Sequence, residues 1–416
     1  MKTVVIGAGI TGLVTAIRLR QAGQDVTLVT KGIGGLQLGQ GTLDVFGYSP
    51  DRVDNPIAEV DKVAASDPTH PYAAIGSDNV RKGLEYTAGL LDGLVEGDPE
   101  KNVLLPTAVG AMRPTAYIQP SMTNGVITAD SKFLIAGPRQ LKDFYPQLIA
   151  GNLARTDLPG GGRIQARPGS FSIPARGTEA DSSGLNYARA LDRPEYRKEF
   201  AAQIKPLVKE GETVGLPAML GLRDRNAWRD LQDLIGAPIF EIPLPPPGVP
   251  GMRLNEHLTD LAKELRVKII LGSPVVSGTE ENGRVVSVTV ASTGHDMVIK
   301  TDNVVLCTGG FESGSLELDS YGVMSETIFG LPLVGTEIPE PTHGQYWGDP
   351  QPMFRVGVKV GEDMRVLDAS GQPVYDNLYA AGGILAGSIR WTEKNGEGVA
   401  VGSAYAATEA ILGGNS

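Results

Sequence analysis

The sequence predicts an α/β protein: a three-layer domain on a parallel sheet, carrying a β-meander and interrupted by an inserted α/β domain. Three observations predict it. A β-branched run, Thr3 to Ile6, passes through Gly7-Ala8-Gly9-Ile10-Thr11-Gly12 into an apolar helical pattern at Leu13, Ala16, Ile17 and Leu19, and a second strand follows at Asp25 to Thr30. Residues 251 to 310 read in order as amphipathic helix, strand, meander and a buried strand ending in glycines. Between these halves the chain has βα signals of its own. The expected division is therefore 1–50 plus 251–416 for the first domain and 51–250 for the insert.

In the first unit Gly7 permits a tight turn, Gly9 lets backbone approach a pyrophosphate, and Gly12 lets helix pack on strand. The helix N-terminus presents N–H groups to an anion. This is the Rossmann-like FAD/NAD(P)-binding arrangement, which implies a dinucleotide or flavin ligand. Its second strand normally ends in an acid that accepts hydrogen bonds from the adenosine ribose, but here it ends in Thr30-Lys31. Three readings stay open: Thr30 holds the ribose, Lys31 meets a phosphate, or the nucleotide half is missing and a mononucleotide is bound. Gly32-Ile33-Gly34-Gly35 and Gly39-Gln40-Gly41-Thr42-Leu43-Asp44 follow. These clusters would let backbone pass close to an isoalloxazine ring, which makes Gly35, Gly41 and Thr42 candidate cofactor contacts.

The insert shows a strand at Phe133 to Ala136, then Gly137-Pro138 and a helix from Gln140, and a later strand within Glu212 to Leu220. Pro243-Leu244-Pro245-Pro246-Pro247-Gly248-Val249-Pro250 closes it and reads as a stiff connector between domains. Leu254, Leu258, Leu261 and Leu265 then recur along one face of a helix over Gly251 to Leu265. The meander comprises Val267 to Leu271, Val275-Val276, the hairpin turn Glu281-Asn282-Gly283-Arg284, Val285 to Val290, and Met297 to Lys300, with Val275 a candidate cofactor contact. Asn303 to Cys307 delivers Thr308 and Gly309 to the cofactor, and Asn377 to Ala381 delivers Gly382 and Gly383. In many flavoproteins the position of Gly383 is an acid on the ribityl chain or pyrophosphate, so a second polar anchor is missing. Gly398 and Val399 begin a small-residue helix whose N-terminus points at the same cleft.

With 37 Lys+Arg against 48 Asp+Glu the formal charge is −11, which disfavours nucleic acid as a partner. Glycine supplies 54 of 416 residues, against a usual share of about 7%, as expected of loops that wrap a cofactor. Cys307 is the single cysteine, so this chain alone can hold neither a four-thiolate cluster nor a structural zinc, and no metal site is expected. No uncharged apolar run reaches the eighteen or so residues that cross a bilayer. The apolar residues after Lys2 superficially resemble a secretory signal, but no convincing cleavage site follows.

Assembled, these segments resemble the B-subunit family of anaerobic glycerol-3-phosphate dehydrogenase. The resemblance rests on Gly41-Thr42-Leu43-Asp44, His70-Pro71-Tyr72, Met112-Arg113-Pro114-Thr115, Leu216-Pro217-Ala218 with Gly221-Leu222, Leu244-Pro245-Pro246-Pro247 before Gly251-Met252-Arg253-Leu254, Trp347-Gly348-Asp349, and the Asn377-Leu378 strand with its glycine tail. Together they cover nearly the full length. Where the family commonly has a glycine- and cysteine-rich turn before the last helix, this chain has Lys394-Asn395-Gly396-Glu397-Gly398.

The resemblance implies a flavin-bearing subunit, described as using FMN, in a complex that oxidises sn-glycerol 3-phosphate to dihydroxyacetone phosphate and reduces a quinone. Its implied partners are an FAD-containing dehydrogenase subunit and an iron–sulfur subunit that contacts the membrane. It would thus sit in the cytoplasm, peripheral at the inner face of the cell membrane. FMN fits the lost ribose acid, whereas the intact glycine triplet suits the pyrophosphate of FAD. Oxidising the alcohol requires hydride transfer to flavin, a base at the hydroxyl and cations for the phosphate. His343 is the preferred base and His70 the second, with His257 and His295 read as structural or surface residues. Arg113 and Arg253 are preferred for phosphate over Arg355 and Arg390, because they sit beside glycine- or proline-rich turns. Cys307 is read as packing. Alternatively the subunit is a scaffold or electron relay whose partner oxidises the substrate. An independent oxidoreductase of the succinate or fumarate type is disfavoured, because the helix-borne histidine and arginine sets of those enzymes are not apparent.

Overall fold

β1 (Lys2–Ile6) lies at the centre of a five-stranded, all-parallel sheet because Val4, Val5 and Ile6 are apolar on both faces. The strand order is Lys268–Leu271, β2 (Asp25–Thr30), β1, Asn303–Leu306 and Leu378–Ala380. The computed structural model describes residues 1–344 and 349–414, in two units. The first comprises Met1–Gly35, Leu43–Leu90 and His257–Ser416, and the second Leu36–Thr42 and Leu91–Glu256.

In the first unit α1 (Ile10–Gln21) crosses from β1 to β2 and packs with the helices Ser77–Leu90 and Gly396–Gly413. The last of these is built of small residues for a physical reason: a Cβ on Gly83 would stand 2.5 Å from Val401 O, and one on Gly402 would stand 3.0 Å from Val80 Cγ2. The meander forms as expected, Val275–Glu281, Arg284–Val290 and Met297–Lys300, with Asn282 and Gly283 at φ of 52° and 75° in its hairpin turn. Buried Asn377 ties it to the parallel sheet. Its amide accepts from Val285 N at 2.8 Å and donates to Val285 O at 2.8 Å and Asp302 O at 2.7 Å. The Rossmann-like fold read from the sequence is thus present.

The second unit carries its own four-stranded parallel sheet, in the order Gln165–Phe171, Lys132–Pro138, Thr213–Pro217, Ile239–Ile242. Its core includes the aromatic pair Phe133 and Phe240, with ring centroids 4.7 Å apart. Three boundaries differ from the sequence reading. Residues 51–90 pack with the first unit, where Tyr86 donates to Gln21 at 2.7 Å and the Arg18 guanidinium lies 4.9 Å from the Tyr86 ring. Residues 36–42 join the second unit, because Gly248 N donates to Gln37 O at 2.7 Å and the lack of a side chain at Gly251 admits Leu36 O. The proline run therefore lies inside the second unit, between the strand Ile239–Ile242 and the helix Val249–Glu264. The helix expected from Gln140 begins instead at Pro146, since the Gln140 side chain is engaged with Ser172 and Ile173 N, and Pro146 sets the first helical position.

Two glycines of one helix give a matched test of this packing. Gly83→Ala should lower stability by roughly 1–3 kcal/mol, because the added methyl meets backbone. Gly89→Ala, with nothing within 4 Å of its Cβ, should be neutral or stabilising by up to about 1 kcal/mol. Urea unfolding of both variants checks the pair.

Candidate functional site

The carboxyl ends of β1, Asn303–Leu306 and Leu378–Ala380 converge on the glycine turn, each glycine for a different steric reason. Gly7 has φ +108° and donates to Val29 O at 2.8 Å, and a side chain there would overlap Cys307 O. A Cβ on Gly12 would overlap Gly7 O. Gly9 is the opposite case, for its Cβ would point into space with no heavy atom of the described residues within 4 Å. It caps α1 in extended conformation, with no side-chain hydrogen bond to the helix end and no acid in the first turn. An open cradle against an uncapped helix N-terminus suits an anion. Thr308, whose Cα would lie 3.3 Å from a Cβ on Gly7, has a buried Oγ1 with no hydrogen-bond partner among the described residues. A ligand hydroxyl or phosphate oxygen would satisfy that group, so the residues present fit a flavin nucleotide.

The neighbouring glycines shape the wall. Gly382 (φ +76°) lies against Thr11 of α1, with its N–H donating to Ser403 Oγ at 2.8 Å, and Gly309 (φ +77°) leaves room for Ser313. Gly383 O accepts from the Arg390 guanidinium, which also donates to Glu312 at 2.7 Å. Gly34, at φ +74°, touches Ala8 and Gly9, while Gly35 is unobstructed and exposed at the loop surface. The Thr30 hydroxyl forms a local turn, donating to Gly32 O at 2.5 Å and accepting from Gly32 N at 3.3 Å. Lys31 is exposed, and its Nζ lies beside Gly314. Val275 is buried at the start of the meander, opposite Val290.

Several candidates are engaged elsewhere. Gly398 N donates to Asp44 O at 2.8 Å and its missing side chain makes room for Tyr72, so it and buried Val399 serve packing of the last helix. Gly41 and Thr42 belong to the second unit. Arg113 donates to Thr42 Oγ1 at 3.1 Å, and Gln119 Nε2 bridges Gly41 O at 3.2 Å and Pro250 O at 2.9 Å. Arg253 is saturated: two bonds reach Glu241 at 2.6 and 2.9 Å, two reach Gly221 O at 2.8 and 2.6 Å, and one reaches Gln119 Oε1 at 3.0 Å. With all five N–H groups directed at protein acceptors, it is a largely buried structural cation. Burial pushes the Glu241 carboxyl up, but Arg253, Ser121 and Leu220 N–H hold it net below its ordinary 4.5.

His343 Nε2 faces Asp349 O at 2.5 Å, so it carries the proton, and the Nδ1 lone pair faces Gln351 Nε2 at 3.1 Å. The ring is thereby held within its own loop, with both nitrogens engaged by protein groups. Residues Gln345 to Gly348, including Trp347 and Gly348 of the segment Trp347-Gly348-Asp349, lie outside the described residues. His70 is buried, accepting from Tyr72 N at 3.2 Å and facing Glu393 at 3.2 Å. Sequence reasoning missed that network, in which Asn395 and Ser388 also bond Glu393. Cys307 is buried against Thr15, and burial pushes its thiol to about 12. Among the described residues no cluster of ligands could hold a metal, and no helix is long and apolar enough to cross a membrane.

Comparison with known proteins bears on this geometry. Residues 2–399 match the FAD binding domain family. The B-subunit of anaerobic glycerol-3-phosphate dehydrogenase from Pectobacterium atrosepticum is 30% identical over 98% of this chain and 98% of its own. The chain belongs to this flavoprotein family. The probable B-subunit of the Halobacterium salinarum enzyme is 29% identical over 98% and 96% of the two chains. Among solved structures, 3-ketosteroid Δ1-dehydrogenase from Sterolibacterium denitrificans covers 99% of both chains at 12% identity and a TM-score of 0.48. The expected flavin is thus upheld, and FAD is the form for which the matched family is described.

Two substitutions separate binding from scaffolding. Gly9→Val fills the cradle, so flavin occupancy should fall to near zero while the apoprotein's melting temperature stays within about 1 °C of wild type, a shift of no more than about 1 kcal/mol for a chain of this length. Absorbance near 450 nm and a thermal melt read both. Arg253→Met should cost roughly 3–5 kcal/mol at pH 7 by leaving Glu241 charged and buried. Because the Glu241 carboxyl is held low in the folded protein, its stabilisation is full above its ordinary 4.5 and is lost as pH falls through the folded value. The gap between variant and wild type in urea titrations should therefore shrink on acidification.

Proposed function

We propose that this chain is the flavin-binding subunit of a membrane-associated complex that oxidises sn-glycerol 3-phosphate to dihydroxyacetone phosphate and passes two electrons to a quinone. The observation that carries this reading is full-length kinship with the B-subunits of anaerobic glycerol-3-phosphate dehydrogenase, joined to an anion cradle that a flavin nucleotide fits. Bound flavin would accept the hydride that leaves C2 of the alcohol. The chain's own contributions are the Gly7–Gly12 turn and α1, which would hold the phosphate end, and Thr308, whose hydroxyl has no partner among the described residues. The hydroxyl proton would leave to a base, completing loss of two electrons and two protons from substrate. With a single cysteine, iron–sulfur relay would belong to a partner subunit. The partners in this reading are an FAD-containing dehydrogenase subunit and an iron–sulfur subunit that contacts the membrane.

A second reading, electron relay or scaffold with substrate oxidised by a partner, draws support from specific contacts. Arg253 has no donor left for a substrate phosphate, and the His343 ring is held by Asp349 and Gln351. The deciding experiment is acid release and chromatographic identification of the cofactor, followed by anaerobic titration of the single chain and the assembled complex with glycerol 3-phosphate. FAD or FMN bleached by substrate in the single chain is the expected result for catalysis. Flavin reduced only in the complex assigns the relay, and a chain that retains no flavin in either form overturns both flavin readings.

A further inference from the structure

Position 383 is a glycine just beyond the strand Leu378–Ala380, and a carboxylate from the neighbouring strand end is held beside it. Gly383 O accepts from Arg390 Nη1, and a Cβ on Gly383 would stand 2.5 Å from that nitrogen. Arg390 Nη2 donates at 2.7 Å to Oε1 of Glu312, which lies just beyond the strand Asn303–Leu306. Glu312 Oε2 has no hydrogen-bond partner among the described residues and rests over Gly310, where a Cβ would stand 2.8 Å away. Two adjacent strand ends thus each keep a glycine, one beneath the guanidinium and one beneath the carboxylate. Gly382 lies against Thr11, so this pair occupies the same end of the sheet as the phosphate turn. The Glu312 side chain is 53% exposed and that of Arg390 27%, so the carboxylate is held yet reachable.

We infer that Glu312 supplies the carboxylate that position 383 lacks, accepting hydrogen bonds from the ribityl hydroxyls of the flavin, and that Arg390 is the positioning residue that aims it. The argument is chemical. A ribityl chain carries three hydroxyl donors, an ionised carboxylate is a strong acceptor for them, and one of its oxygens fixed by arginine leaves the other directed and available. The inference rests on the flavin reading above and adds a residue to it.

The test uses apoprotein stripped of flavin and titrated with riboflavin, FMN and FAD. Glu312→Ala should weaken all three about tenfold or more, because the contact lies on the chain they share, with no change in the apoprotein's melting temperature. Arg390→Ala should give a smaller common loss. Adding Gly383→Asp to Glu312→Ala should restore much of the affinity, since position 383 has no positive φ and only the end of Arg390 must yield. Unchanged riboflavin affinity in Glu312→Ala overturns the inference, as does a loss confined to FMN and FAD, which would place the contact at phosphate. A drop in apoprotein stability without rescue by Gly383→Asp also overturns it, leaving the pair structural. Wild-type protein that binds no flavin at all would instead sink the flavin reading itself.

Discussion

Close backbone approach at the turn after β1 is the constraint on which the rest of the first unit depends. Gly7 sits under Cys307 O, Gly12 under Gly7 O, and Gly34 against Ala8 and Gly9, so three separate segments meet with no side chain between them. That contact brings the N-terminus of α1 to the ends of two neighbouring strands. Of the turn's three glycines, Gly9 alone faces open space among the described residues, which is how a tightly packed turn can still receive an anion.

The same economy of side chains recurs where helices cross. Gly83 and Gly402 let the helices Ser77–Leu90 and Gly396–Gly413 approach until the side chain of one meets the backbone of the other. Glycine content that the sequence alone links to cofactor loops is thus shared between two uses, ligand access and close packing. Gly398 belongs to the second kind, because its amide is already bonded to Asp44 O.

Polar groups divide in a similar way. Glu241 is buried and Arg253 largely so, and the two charges satisfy one another, which makes them costly to separate but unavailable to a ligand. Among the described residues, the buried Thr308 Oγ1 and the second carboxylate oxygen of Glu312 each lack a hydrogen-bond partner, both just beyond the strand Asn303–Leu306. Arginine beside a proline-rich turn is a poor guide to a ligand site, since a guanidinium serves equally to bind substrate or to hold two strands and a loop together.

The sequence by itself determined the Rossmann-like unit, the meander and the family. Those rest on local rules, namely β-branched runs, helical spacing, an Asn-Gly hairpin and a glycine triplet whose meaning depends on neighbours a few residues away. Tertiary structure alone decided that residues 51–90 join the first unit and 36–42 the second, because those assignments depend on contacts such as Tyr86 with Gln21 and Gly248 with Gln37. It also decided that Arg253 and His343 are fully engaged, whereas Thr308 and Glu312 each retain an oxygen with bonding capacity to spare. Whether a donor or acceptor has a partner is a property of atoms brought together from distant parts of the chain, and no spacing in the sequence records it.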